Sequence, residues 1–278
     1  MRQAAADAAS VDQPGSSRSV LAFLYAVPIA ILGGLIGLGG AEFRLPVLAG
    51  PLGYATRKAV PLNLAVSITT IAASLAIRSR SLSLAPVAPF TPAVLALIAG
   101  AVVAAVAGTA LFGRLSDARL ERTILVLLLV IGIALIVEGF LPLTERALLP
   151  DAVNVWVVAG VLFGLGIGLI SSLLGVAGGE VIIPTLVFAY GADIKTAGTA
   201  SLLISLPTVA VGITRYARRG AYDRSALTGT VAPMGLGSVI GAVIGGLLVG
   251  AVPAAVLKVG LGVILLISAW RTFRHNQD

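Results

Sequence analysis

The chain contains no cysteine and a single histidine, His275, close to its C-terminal end. Disulfides, iron–sulfur clusters and thiol nucleophiles are excluded by the first fact, and a histidine-based metal site by the second. Charge is scarce too. Only 11% of the 278 residues are Asp, Glu, Lys or Arg, against about 25% in an ordinary soluble domain, so the chain cannot coat itself in water. It also lacks a Gly-x4-Gly-Lys-Ser/Thr phosphate loop, so nothing points to ATP as an energy source.

What remains is apolar: 58% of the residues are hydrophobic and the mean hydropathy is +1.05. Val20–Gly40, Arg119–Leu141 and Trp156–Ser172 each approach the roughly 20 apolar residues that span a bilayer. The 33 glycines and 14 prolines suit helices that pack closely or break inside a membrane. The net charge of +7 does not read as a nucleic-acid surface, because Lys and Arg fall in short clusters between apolar segments, as the positive-inside rule places them. Residues 1–19 read as a disordered cytoplasmic tail and residues 274–278 as a short C-terminal one. The expected fold is an all-α integral membrane protein with no cofactor.

Shifting the sequence against itself by 138 positions aligns two halves without a gap from Gly33 to Arg80. Gly37-Leu38-Gly39-Gly40-Ala41-Glu42 falls on Gly175-Val176-Ala177-Gly178-Gly179-Glu180, Pro46 on Pro184, Gly53 on Gly191, Ser67 on Ser205 and Thr70 on Thr208. Apolar residues match by chance in any membrane protein, whereas Glu, Pro, Ser and Thr in register do not. The chain is therefore a duplication, with a first repeat over residues 20–141, a connecting loop over 142–154 and a second repeat over 155–273. Val20–Gly40 has a counterpart in Val158–Gly178, so it belongs to the fold and is not a cleaved signal.

Each repeat holds one short apolar segment after its glycine turn, Phe43–Gly53 and Val181–Gly191. Counted as crossings, these give about five segments per repeat, ten in all, and inverted repeats; counted as re-entrant dips after a full crossing, they give eight crossings and parallel repeats. Charge favours ten. With the N-terminus inside, the inner side then holds Arg2, Arg18, Arg57, Lys58, Arg114, Arg119, Arg122, Arg215, Arg218, Arg219, Arg224, Arg271 and Arg274, and the outer side holds Arg78, Arg80, Arg146 and Lys195. That expectation places both termini in the cytoplasm of a prokaryotic cell. Inverted repeats are a common plan of secondary transporters, with the substrate near the midplane.

The two glycine turns, Gly39-Gly40 and Gly178-Gly179, are the leading candidates for binding an anion. Glycine permits positive φ, proline does not continue a helix ladder, and free N–H groups at a half-helix start attract negative charge. The same glycines also suit plain close packing. Glu42 and Glu180 are costly in a membrane and read either as proton relays or as caps of their own half-helices. Arg44, opposite Ile182 in the second repeat, reads as an ion-pair partner of Glu42 or as an anion attractor. Asn63, Ser67 and Thr70 share a helical face that Ser201, Ser205 and Thr208 repeat. Their amide and hydroxyls suit either oxyanion contact or interhelical bonding. Arg57 and Lys195 read as headgroup anchors, and Glu138 and Lys258 as snorkelling chains near segment ends.

The doubled signature, Gly33-Gly34-Leu35-Ile36-Gly37-Leu38-Gly39-Gly40 before Pro46 and Gly175-Val176-Ala177-Gly178-Gly179 before Pro184, resembles that of the TauE/SafE family. The resemblance runs from about Val20 to Phe273. Ala41 and Ala177 stand where small-residue swaps leave the pattern intact. Members of that family are prokaryotic and plant membrane proteins associated with export of sulfite and organosulfonates. The resemblance implies an exporter of a small sulfur-containing oxyanion, working without nucleotide hydrolysis and not an enzyme. An anion leaving a negative interior gains about 2.3 kcal/mol per charge per 100 mV, so a uniporter suffices; proton coupling through Glu42 or Glu180 stays open. Import of a similar anion and a non-transporting role beside a redox or assembly complex are the alternatives. The expected partners are the small anion and membrane lipid, with no nucleic acid; a homo-oligomer is compatible.

Overall fold

The computed structural model describes residues 15–81, 84–112, 147–248 and 251–253, with scattered positions between 122 and 140 and between 255 and 266. The expected span Arg119–Leu141 lies largely outside these residues. Arg2, Arg114, Arg119, Glu138, Arg146, Lys258 and everything beyond position 266 lie wholly outside them.

Among the described residues all regular structure is helical. The helices are α1 (Gly15–Ile36), α2 (Ala41–Ala49), α3 (Thr56–Ser81), α4 (Thr91–Phe112), α5 (Val153–Leu174), α6 (Gly179–Ala189), α7 (Ile194–Arg218) and α8 (Arg224–Leu248). A 3₁₀ turn, Ala85–Phe90, leads into α4. Helices α1, α3, α4, α5, α7 and α8 are long and apolar enough to cross a membrane. Leu95, Val103, Val158, Leu162, Leu236 and Leu247 are each at least 60% exposed, which suits lipid and not water. The chain is an integral membrane protein.

Helices α2 and α6 do not make the crossings that the ten-crossing count requires. At 1.5 Å per residue they reach only about 14 Å and 17 Å, against about 30 Å of hydrocarbon. They double back. Gly40 lies against Ile29 and Gly178 against Ile167, inside the last turns of the preceding helices. At the far end of the first hairpin, the Tyr54 ring sits under the Arg18 guanidinium near the start of α1. In the second, Tyr190 packs edge-on against Trp156 near the start of α5 and donates from its hydroxyl to the Trp156 carbonyl. Pro46 and Pro184 lie within α2 and α6 and do not end them. The break falls on the glycines.

Contacts also give the helix directions, with the lower end defined as the one where α1 begins. Helix α3 rises beside α1, since Tyr54 precedes it at Arg18 and Arg78 ends it at Gly34. Helices α4 and α5 run in one direction, as Gly160 meets Ala93, Gly164 meets Leu97 and Gly168 meets Ala101. Both start at the upper end, where Phe90 stacks on Trp156 at 5.8 Å. Helices α1 and α8 also share a direction, with Gly237 on Phe23, Gly241 on Val27 and Gly245 on Ile31. Helix α7 descends, from Gly198 against Ile36 to Tyr216, whose hydroxyl donates to the Ser172 carbonyl at 2.9 Å. These pairings bury small-residue stripes, the arrangement by which helices pack where no hydrophobic drive separates them from lipid.

Helix α7 carries a cap that the sequence reading did not single out. Asp193 Oδ1 accepts from the backbone N–H groups of Lys195 and Thr196 at 3.0 and 3.1 Å. Partial burial raises the Asp193 pKa, but the hydrogen bonds from Thr196 and Lys195 and the Lys195 charge outweigh it, leaving the pKa below the ordinary value. A carboxyl with a lowered folded pKa stabilises above its unfolded pKa and loses that contribution as pH falls through the folded one. Asp193→Ala should cost about 1 kcal/mol at neutral pH. Thermal unfolding in detergent should show the gap from the parent protein narrowing below about pH 4.

Candidate functional site

The two glycine turns meet. A Cβ on Gly39 would stand 2.8 Å from Cβ of Ala177, and one on Gly179 would stand 2.9 Å from Cδ2 of Leu38. Gly40 and Gly178, which precede α2 and α6, have φ of 65° and 78°, the left-handed region in which glycine alone carries no steric penalty. Asn63 fastens the turns together. Its Nδ2 donates to the carbonyl of Ala41 at 2.6 Å and to that of Gly175 at 2.9 Å. Gly39 and Ala177 are equivalent residues of the two halves, 138 positions apart.

Arg44 is fully buried and its guanidinium is satisfied by neutral acceptors. Nε donates to Asn63 Oδ1 at 3.3 Å, Nη1 to Thr70 Oγ1 at 2.7 Å and Ser238 Oγ at 3.4 Å, and Nη2 to the Gly39 carbonyl and Ser67 Oγ, both at 2.8 Å. The five donors of the guanidinium fork all find partners. The hydroxyls of Ser67 and Thr70 in turn donate to the carbonyls of Asn63 and Val66. The polar face read from the sequence is thus gathered around one cation that comes from α2. The expected ion pair between Arg44 and Glu42 is not made: no donor bonds either Glu42 oxygen, and the two charges act on each other only through space.

Glu42 and Glu180 lie at the starts of α2 and α6, are 1% and 4% exposed, and neither helix has a side-chain cap. Their carboxyl groups interact with each other, and as carboxylates none of the four oxygens has a hydrogen-bond partner. Ser201, the equivalent of Asn63, is 1% exposed. Its Oγ also lacks a partner and lies 3.0 Å from where a Cβ on Gly179 would stand. Ser205 and Thr208 are buried on the same helix, and Thr208 Oγ1 donates back to the Ile204 carbonyl at 2.9 Å.

Two further groups belong to the same frame. Arg78, counted above among outer-side cations, is 1% exposed. It donates to the Gly34 and Leu35 carbonyls, at 3.1 and 3.0 Å through Nη2, and to Thr199 Oγ1 at 3.3 Å. A cation on the last carbonyls of a helix is favoured by their partial negative charge. Tyr216 occupies the equivalent position in the second repeat, and its acceptor, the Ser172 carbonyl, is the equivalent of Gly34. The clue available in the sequence was that both sit 138 apart at helix ends, each able to donate.

No curated protein and no solved structure matches the chain. The model of one family, described as sulfite exporter TauE/SafE, matches residues 5–135 and 160–278. Membership implies a membrane transporter of sulfur anions, in keeping with a buried polar centre enclosed by apolar helices. The chain belongs to the TauE/SafE sulfite exporter family.

Proposed function

We propose that the protein is a secondary transporter that exports a small sulfur-containing oxyanion, sulfite or an organosulfonate, across the cytoplasmic membrane of a prokaryote. In this reading the halves are inverted repeats that alternate access to a site between them. Supporting it, α1 rises while its equivalent α5 descends, and each repeat's first helix packs on the other's α4-type helix, as the α1–α8 and α4–α5 contacts record. Each hairpin of a long and a short helix returns to its starting side, so an odd number of further full crossings per repeat inverts the second copy. Arg18, Arg57, Lys58, Arg215, Arg218, Arg219 and Arg224 gather at the lower end, which is then the cytoplasmic one.

The observation that carries the reading is the meeting of the two glycine turns through equivalent residues. The first N–H groups of a helix have no partner within it. Those of α2 and α6 therefore offer an anion two facing sets of donors at Gly39, Gly40, Gly178 and Gly179. Ser67, Thr70 and Asn63 hold the turn through Arg44, which leaves Ser201, Ser205 and Thr208 as the hydroxyls on the second repeat's side.

The test is flux. Purified protein in liposomes should carry sulfite, protein-free liposomes should not, and a small organosulfonate should compete better than sulfate. No flux of any of these anions, from protein shown to be folded and inserted, would sink the proposal. Flux into the vesicles under an inward gradient would be expected as well, since a carrier follows its gradients.

A further inference from the structure

We propose that Glu42 and Glu180 together form a proton site between the two repeats, which holds one proton at rest and takes up a second when the transported anion binds. The inference rests on the transporter reading above and names its coupling ion.

The geometry comes first. The two carboxyls lie 138 positions apart, in the first turns of the two short helices whose glycine turns meet, and both are all but sealed from solvent. Two ionised carboxylates in such a place would repel one another and leave four oxygens without a donor, a costly arrangement for buried charge. One proton turns two like charges into one and gives two of the four oxygens a partner, because a carboxylic acid donates to a carboxylate opposite it. The Ser201 hydroxyl, buried and without a partner beside Gly179, can donate to the charge that remains.

Charge balance sets the number. Arg44 supplies one positive charge and acts on Glu42; a pair sharing one proton carries one negative charge, so the centre is neutral. The other ionisable side chains on the elements packed around it stand at helix ends, save Tyr25, which lies midway along α1 and is 38% exposed. They are Arg18 and Tyr25 on α1, Arg57, Lys58, Arg78 and Arg80 on α3, Lys195, Arg215, Tyr216 and Arg218 on α7, and Arg224 on α8. Of these, Arg78 and Tyr216 are tied to the carbonyls that end α1 and α5. A monovalent anion entering at the glycine turns would leave the centre one charge negative. A second proton, passed from water to the remaining carboxylate, restores neutrality. Anion and proton therefore bind together and travel together. A hard metal cation is a poorer occupant: it wants about six oxygen ligands, and no group of three or more His, Cys, Asp or Glu occurs among the described residues.

The full-length protein is tested in two ways. Infrared spectroscopy of the protein at neutral pH should show a protonated carboxylic C=O band that disappears in Glu42→Gln/Glu180→Gln. In liposomes with an entrapped pH dye, an isethionate gradient is imposed without a pH gradient; this sulfonate stays charged at every usable pH and cannot carry a proton itself. The parent protein should move one proton with each isethionate, in the same direction, at a rate unaffected by an imposed potential. The double variant, fixed in the shape of the fully protonated pair, should move isethionate without protons and respond to potential. If the double variant does not fold, each single Gln variant, with one carboxyl left to titrate, should lose the resting band and keep the one-to-one ratio. Isethionate flux without proton movement, or flux that needs sodium instead, overturns the proton site and leaves the transporter reading standing. If no tested anion moves, the transporter reading falls and the infrared band alone decides the site, its absence overturning it.

Discussion

Arg44→Met is expected to destabilise the protein by about 3–5 kcal/mol, the range for removing one partner from a buried charged network. The substitution keeps the apolar stem and deletes the fork. Asn63 Oδ1, the Gly39 carbonyl, Ser67, Thr70 and Ser238 each lose a donor, and the Glu42–Glu180 pair loses the positive charge that balances it. Neither loss can be made up by water, because Arg44 has no exposed surface. Arg44→Lys should lie between, since an ammonium restores the charge but cannot reach acceptors on α3, α8 and the glycine turn at once. Thermal unfolding in detergent, read from tryptophan fluorescence, should lower the midpoint of the Met variant by roughly 10 °C. A midpoint within a degree or two of the parent protein would mean that the network organises nothing.

The same residue shows what a sequence can and cannot reveal here. A 138-residue repeat is read from polar residues that recur in register, and the polar face of α3 from its spacing. Proximity in the chain offers Arg44 only Glu42 or a passing anion as a partner. A buried guanidinium instead takes whichever arrangement satisfies all five donors, and four of its five acceptors lie 19, 23, 26 and 194 residues away. The path of the short helices was not legible either. Hydropathy reports length and polarity but not direction, and a nine-residue helix after a glycine turn either continues or returns. The contacts of Gly40 with Ile29 and of Tyr54 with Arg18 decide it. The burial of Arg78 was not legible for a related reason. At the end of a span, a cation that reaches water and one that caps a neighbouring helix look alike in sequence.

The 138-residue spacing pairs residues in the sequence but does not say which of the pairs meet. Gly39 and Ala177 approach each other directly. Other contacts come in exchanged sets: Gly37 meets Gly198 and Gly175 meets Val60, and each residue of one contact stands 138 positions from a residue in the other. Where the halves differ, the difference is chemical. Arg44 stands opposite Ile182 and Asn63 opposite Ser201, so one repeat supplies the cation and its acceptors while the other supplies a free hydroxyl.

Those exchanged contacts carry the second large effect. Gly37→Ala and Gly175→Ala should each destabilise the protein by about 3 kcal/mol or more, from two sources that add. Both glycines have positive φ, 91° and 64°, where an L residue costs roughly 1–2 kcal/mol. In both, the new methyl would collide with backbone: the Gly198 carbonyl carbon at 2.7 Å in the first case and the Val60 carbonyl carbon at 2.9 Å in the second. The backbone of a packed helix does not step aside, and overpacking of this kind typically costs about 1–3 kcal/mol more. Gly166→Ala is the control. It lies in α5 with open space at the Cβ position, and alanine there should stabilise the helix by up to about 1 kcal/mol. The ranking separates the contact from the conformation, because Gly53→Ala has φ of 67° and nothing within 4 Å and should lose the strain term alone. If Gly37→Ala and Gly53→Ala unfold at the same temperature in detergent, the approach of the first turn to α7 is not a constraint on the fold. If Gly37→Ala is far worse, the two halves are held at the close distance that a shared site between the turns requires.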